Sequence, residues 1–268
     1  MAPIRIAAVQ MVSAPEVAPN LEAAARLVAR AAAEGARLVA LPENFYLISG
    51  DAAAKVRARE PDGRGPIQDF LAATARRHKL WLVGGTCPIA CDDPGRIRSA
   101  CLVYDDAGRR VARYDKMHLF RFAQGEERYD ETRTLEPGTA PVAVESPFGR
   151  IALSVCYDVR FPELYRRFAP LALIAVPSAF TVPTGRAHWH VLLRARAIEN
   201  LAYVIAPAQG GMHPDGRLTY GHSMIVDPWG SVLAERAEGE AVVLAEIDSA
   251  RLAEVRQSLP ALDHRRLA

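Results

Sequence analysis

A chain of 268 residues, half of them hydrophobic and with a net charge of only +2, can bury a substantial core and carries no field strong enough to imply a nucleic-acid partner. Its arginines are spread through helical stretches, no run is long enough to cross a membrane, and Met1 to Gln10 enters an alternating strand without a secretory leader. A chain of this size is expected to form a single domain, residues 1–268, and its four cysteines do not make a disulfide framework, which suits a reducing, cytoplasmic setting.

In chain order, residues 4–10 read as a strand, Asn20 as the N-cap of a helix running to Ala33 with Gly35 as its stop, and residues 37–41 as the next strand. This βαβ opening is followed by a helix at 66–78, a strand at 80–84, and a hairpin of strands 99–104 and 110–114 turning through Asp105 to Gly108. Strands are expected at 142–145, 151–155 and 171–176, with a helix beginning near Phe161-Pro162-Glu163 between the last two. A long helix at 186–200 and strands at 203–206, 222–226, 232–234 and 241–247 complete an α/β chain of sheets covered by helices. Residues 60–66 read as a surface loop and 124–136 as a longer loop at a pocket rim.

Three residues stand where such a fold builds sites. Glu43 directly follows the strand that Pro42 ends, Lys116 follows the second hairpin strand among apolar and aromatic neighbours, and Cys156 sits on the turn between the strand at 151–155 and the next helix. Each alone has a plain alternative: a surface carboxylate, a solvated loop cation, a small buried hydrophobe. Cys87, Cys91 and Cys101 look structural, because the CxxxC of the first two lacks a second pair of metal ligands. In the helix expected at 186–200, His188 and His190 are separated by about 200°, and Gly84-Gly85 is no dinucleotide fingerprint, so neither a metal nor any other cofactor is expected.

Together the segments LPE at Glu43, YDKMHLF at Lys116 and CYDVRFPE at Cys156 resemble the nitrilase superfamily, the carbon-nitrogen hydrolases, whose Glu-Lys-Cys triad runs in this chain order. The resemblance continues through TLEPG (134–138), LLRARAIEN (192–200), AQGGMHP (208–214), YGHSMIVDPWG (220–230) and RQSLPALDHRR (256–266), wording similar to the Nit branch. It implies a four-layer α-β-β-α sandwich of two mixed sheets. It also implies pairing into a homodimer through 161–168 and the 186–200 helix, with the C-terminal tail a candidate to reach over the partner.

Hydrolysis of an amide without a metal needs a strong nucleophile, a proton shuttle and an oxyanion stabiliser. Cys156, Glu43 and Lys116 supply one of each through a thioester, and Glu43 is expected to be enclosed with its pKa raised toward neutrality. Lys116 should lower the thiol pKa and bind the oxyanion with the backbone N–H of Tyr157. By resemblance the second glutamate of the site is Glu131, just before the Thr-x-x-Pro-Gly motif, while Glu126 and Glu127 read as solvated loop residues. The Nit branch implies a small amide flanked by carboxylates, deaminated glutathione, giving 2-oxoglutarate and cysteinylglycine. Arg160, Arg186, His118 and His188 flank the converging motifs and are candidate carboxylate binders. The competing readings are an ω-amidase acting on 2-oxoglutaramate, a nitrilase or N-carbamoyl amidase, and an inactive scaffold of the same fold.

Overall fold

In the computed structural model, which describes residues 3–124 and 127–266, the strand Ile4–Gln10 is buried on both faces. Its period-two alternation sends Ile6 and Ala8 into one apolar cluster and Ala7 and Val9 into another. Two cores require a covering layer on each side of the strand, and helices and a second sheet supply them. The helices are α1 (Val17–Ala33), α2 (Ala53–Arg57), α3 (Pro66–His78), α4 (Pro162–Arg166), α5 (Val182–Asn200) and α6 (Ser249–Ser258).

The first sheet runs, from one edge, Ala241–Ile247, Ile4–Gln10, Leu38–Ala40, Trp81–Val83, Ile97–Tyr104, Cys87–Ala90, with Arg110–Asp115 also paired to Ile97–Tyr104. Its three central strands are parallel, and antiparallel partners flank them. The second sheet repeats that plan in the order Val232–Arg236, Ser223–Val226, Tyr203–Ala206, Leu173–Ala175, Gly149–Leu153, Val142–Ser146. Here too three parallel strands lie between antiparallel ones. Helices α1 and α3 cover the outer face of the first sheet, and α4 and α5 that of the second. The inner faces meet through Ile6, Leu38, Val83 and Val103 on one side and buried residues of the second sheet on the other, giving the four layers α-β-β-α. Trp189 anchors α5: it is fully buried, and its indole N–H donates to the His222 carbonyl at 2.8 Å.

Most of the expected elements are present, and the departures have local causes. Asn20 is not a cap but a buried residue in the first turn of α1, where its amide binds the backbone of Ala14, Glu16 and Tyr46 and ties down the preceding loop. Helix α5 begins a turn before 186, because Pro183 is tolerated in a first helical turn. The stretch 60–66 is not wholly a surface loop: Glu60 is buried and accepts the Ile67 and Gln68 N–H groups that open α3. The expected loop 124–136 contains the strand Glu127–Asp130, paired with Arg121–Gln124, and a 3-10 turn at Glu131–Arg133. Gly125 and Glu126 lie outside the described residues, so the solvated-loop reading of Glu126 is not addressed. Cys87–Ala90, the would-be metal motif, is an edge strand, with Cys87 in the outer core and Cys101 in the inner one. Burial pushes the Cys87 thiol well above its ordinary range and that of Cys101 to about 12.

Candidate active site

The strand Leu38–Ala40 delivers Glu43 to the end of the first sheet through a tight turn. Asn44 adopts a left-handed φ of 56° with its N–H on the Thr86 hydroxyl, and Gln209 donates to the Glu43 carbonyl at 3.2 Å. Gly85 makes this turn possible, since a Cβ there would stand 2.2 Å from the Pro42 carbonyl oxygen. Lys116 follows the strand Arg110–Asp115, its N–H on the Ser99 carbonyl and its own carbonyl accepting from Gly138. The glycine of the TLEPG segment is thus required by close backbone approach, a Cβ at 138 falling 2.1 Å from the Asp115 carbonyl.

Cys156 opens a 3-10 turn, Cys156–Arg160, three residues beyond the strand Gly149–Leu153. Its φ of 52° is left-handed, a conformation costing a non-glycine residue about 1 kcal/mol or more. Contacts around it hold that geometry. The Cys156 N–H donates to the Pro177 carbonyl at 2.9 Å, and the fully buried Asp158 receives the Val155 N–H at 2.8 Å. Asp158 also accepts from the Tyr114 hydroxyl at 2.7 Å and the His118 N–H at 3.1 Å. One carboxylate therefore ties the cysteine turn to the segment carrying Lys116.

These elements bring the four expected residues together. The Lys116 ammonium, fully buried, lies 2.9 Å from Glu43 and 2.8 Å from Glu131. Glu131 in turn accepts the Phe120 N–H at 2.7 Å, and Glu43 and Cys156 line the same pocket. Burial disfavours the Lys116 charge, but the carboxylates of Glu131 and Glu43 outweigh it and hold the ammonium well above its ordinary range. Burial also raises the Glu43 carboxyl, yet Lys116 overrides that, so Glu43 lies below the usual carboxylate range instead of near neutrality as expected. The thiol of Cys156 is pushed well up, by burial first and by Glu43 next, with Lys116 opposing. At rest the arrangement is a neutral thiol beside an ionised carboxylate, not a preformed thiolate. Tyr157, second in the 3-10 turn, has no earlier carbonyl of that turn for its N–H and can offer it to an oxyanion.

A pocket of roughly 810 Å³ opens over these residues, lined by Glu43, Glu131, Cys156, Tyr157, Phe120 and Phe180 among others. The expected carboxylate binders are elsewhere. His118 is committed to Asp158 at 2.7 Å and stacks on Phe161 with ring centroids 3.7 Å apart. Arg160 lies behind the pocket wall, 5.7 Å from the Tyr157 ring and 5.8 Å from the Phe180 ring, with its guanidinium on His188 at 3.2 Å. Arg186 and His188 are exposed on α5 and do not line the pocket. The cations that do line it include Lys55 of α2 and Arg217. The sequence does not single out either, because neither lies within a segment that carries the family resemblance. His190 leaves α5 on a different side from His188 and contacts Glu235 at 2.9 Å; His222 contacts the same Glu235 oxygen, so that oxygen already serves both imidazoles.

A carbon-nitrogen hydrolase family model matches residues 5–257. The chain belongs to the carbon-nitrogen hydrolase family. It is 41% identical to a deaminated glutathione amidase of Synechocystis over 271 residues, covering 99% of each chain, and 35% identical to an omega-amidase of Xenopus tropicalis over 269 residues, covering 99% of this chain and 96% of the other. The crystal structure of Saccharomyces cerevisiae Nit3, a member of branch 10 of the nitrilase superfamily, superposes with a TM-score of 0.89 at 32% identity, covering 99% of this chain and 97% of that one. The protein is accordingly a hydrolase acting on amides. Among the described residues no helix is long and apolar enough to cross a membrane.

Proposed function

We propose that this hydrolase is a thiol amidase of the deaminated glutathione type, in which Cys156 is the nucleophile, Glu43 the proton shuttle, Lys116 the oxyanion binder and Glu131 the residue that orients Lys116. The observation that carries the reading is the buried Lys116 ammonium held 2.9 Å from Glu43 beneath the pocket that Cys156 lines. End-to-end similarity to a deaminated glutathione amidase supports the substrate.

As sulfur attacks the amide carbon, the thiol proton passes to the ionised Glu43, and the oxyanion forms against Lys116 and the Tyr157 N–H. Lys116 stays a cation throughout, because the carboxylate of Glu131 remains beside it and the oxyanion replaces the charge of Glu43 while that residue is protonated. The C–N bond then breaks as Glu43 returns the proton to the leaving nitrogen. Water, giving a proton to Glu43, adds to the thioester, and loss of the sulfur restores the thiol and frees the acid. Enclosure matters in both halves, since a low-dielectric site strengthens each of these contacts.

For the assembly we propose self-association through α4 and α5, supported by Val191 and Ile198, which α5 leaves exposed. The closing segment meets its own chain here, Arg265 donating to the Arg166 carbonyl at 3.1 Å.

The test is kcat/KM for deaminated glutathione and for 2-oxoglutaramate on one preparation, with Cys156→Ala as the blank. A higher value for deaminated glutathione is expected. A preference for 2-oxoglutaramate would make the enzyme an ω-amidase, and turnover by the blank would overturn the assigned nucleophile.

A further inference from the structure

Among the described residues, two half-buried cations, Lys55 and Arg217, line the pocket without an acid in ion-pair range, whereas Arg128 and Arg133, which also line it unpaired, are exposed to solvent. Lys55 lies on α2 at one wall, and Arg217 stands at the end of the turn joining the strands Gly210–Met212 and Leu218–Tyr220. Of the neighbouring cations, Arg57 binds Asp51 at 2.6 Å, and Arg121 binds Asp130 at 3.5 Å. Among the described residues neither Lys55 nor Arg217 makes an ion pair with an acid at that range.

The turn that carries Arg217 is built to hold it. His213, almost fully buried, contacts the Ser13 carbonyl at 3.0 Å and the Thr219 hydroxyl at 2.8 Å, and its N–H donates to the Arg217 carbonyl. The Arg217 N–H caps back onto Asp215, and the guanidinium lies 5.3 Å over the Tyr129 ring. Within this fixed frame Arg217 Nε is buried and has no hydrogen-bond partner. An orphaned donor of a guanidinium is costly unless something fills its place, and the group that matches its planar fork is a carboxylate.

We propose that Lys55 and Arg217 form a carboxylate-binding subsite that holds the acyl-side carboxylate of the substrate and gives the enzyme its preference for acidic acyl groups. The inference rests on the amidase reading above, and it adds the residues that recognise the acyl group. The acyl end fits better than the amine end because Lys55 is close enough to feel the charges of Glu43, Glu131 and Lys116 as well as that of Arg217. A carboxylate a few bonds from the scissile carbonyl reaches such a position when that carbonyl is at Cys156. The electrostatics agree: burial, reinforced by Arg217, pulls the Lys55 ammonium down to about 8, the behaviour of a partly enclosed cation that lacks an anion.

The experiment compares 2-oxoglutaramate with pentanamide, an uncharged amide of similar length, and measures inhibition of pentanamide hydrolysis by glutarate. Lys55→Met and Arg217→Gln should each lower the ratio of kcat/KM for the acidic amide over the neutral one by roughly 10- to 100-fold, mainly through KM, and weaken glutarate inhibition comparably. Lys55→Arg and Arg217→Lys should recover part of both effects, which a structural role would not do. A ratio and a glutarate inhibition constant within about threefold of wild type would overturn the subsite. If deaminated glutathione loses efficiency in the variants while 2-oxoglutaramate does not, the pair holds the other end of the substrate and the acyl-side assignment falls. Should the wild type show no preference for acidic amides, the substrate reading fails; glutarate inhibition relieved by Lys55→Met then still sustains the subsite, and its absence overturns it.

Discussion

The two lysines of the pocket are the same residue type driven in opposite directions. Lys116 at the floor touches two carboxylates and is held well above its ordinary pKa, whereas Lys55 on the wall touches none and is pulled down to about 8. Burial works against the charge in both cases. What differs is the partner: a site designed to keep a permanent cation surrounds it with acids, and a site designed to receive an anion leaves its cations unpaired. The floor is therefore finished before substrate arrives, and the wall is completed by it.

Removing the floor cation should produce the largest break in this contrast. Lys116→Ala leaves Glu43 and Glu131 facing each other without their shared counter-charge, so activity should fall about 1000-fold or more, and stability by about 3–5 kcal/mol in urea titration. Retention of wild-type kcat would exclude Lys116 from oxyanion binding. Asp158→Asn comes next. Its carboxylate accepts on both oxygens while an amide can accept on only one, so the link between the cysteine turn and the Lys116 segment loosens. A loss of about 1.5–3 kcal/mol in stability together with a drop in kcat is expected, and an unchanged melting temperature would refute the tether.

Glu131→Gln should cost less, about tenfold in kcat, because Lys116 keeps Glu43 and the amide oxygen can still accept the Phe120 N–H. Identical steady-state kinetics would remove Glu131 from the site. The mildest perturbation is pH. Lys55 faces Glu43, Glu131, Lys116 and Arg217, and in the free enzyme it loses its proton as pH rises through about 8. KM for an acidic amide should therefore climb above pH 8 while KM for pentanamide stays flat, and parallel profiles would count against the contrast. Stability has the opposite sign at the acid end: Glu43 is depressed below its ordinary pKa of 4.5, so its contribution is present above that value and is lost as pH falls through the lower folded one.

Much of the fold was legible because local signals and tertiary demands agree. Pro66 at the start of α3, Gly35 after α1 and the alternation in Ile4–Gln10 each mark an element that packing also requires. Asn20 misled because a residue suited to capping also suits a buried amide, and only the loop folded against α1 chooses between them. Glu43, Lys116 and Cys156 were recognisable since each follows a strand in distinctive wording, and Glu131 through the resemblance to the Nit branch, which implies a second glutamate just before the Thr-x-x-Pro-Gly segment.

The succession of strands and helices along the chain was determined by the sequence itself, through periodicity and chain breakers, while the four layers and the residues of the pocket floor followed from the resemblance carried by its motifs. Which cations face the substrate was decided by the tertiary structure alone. His118 and Arg160 flank the motifs in the chain but are used to brace them, while Lys55 and Arg217, 162 positions apart, meet across one pocket. Proximity along the chain reports where a backbone turns. The direction of a side chain and the acids left over to neutralise it depend on every element that packs around it.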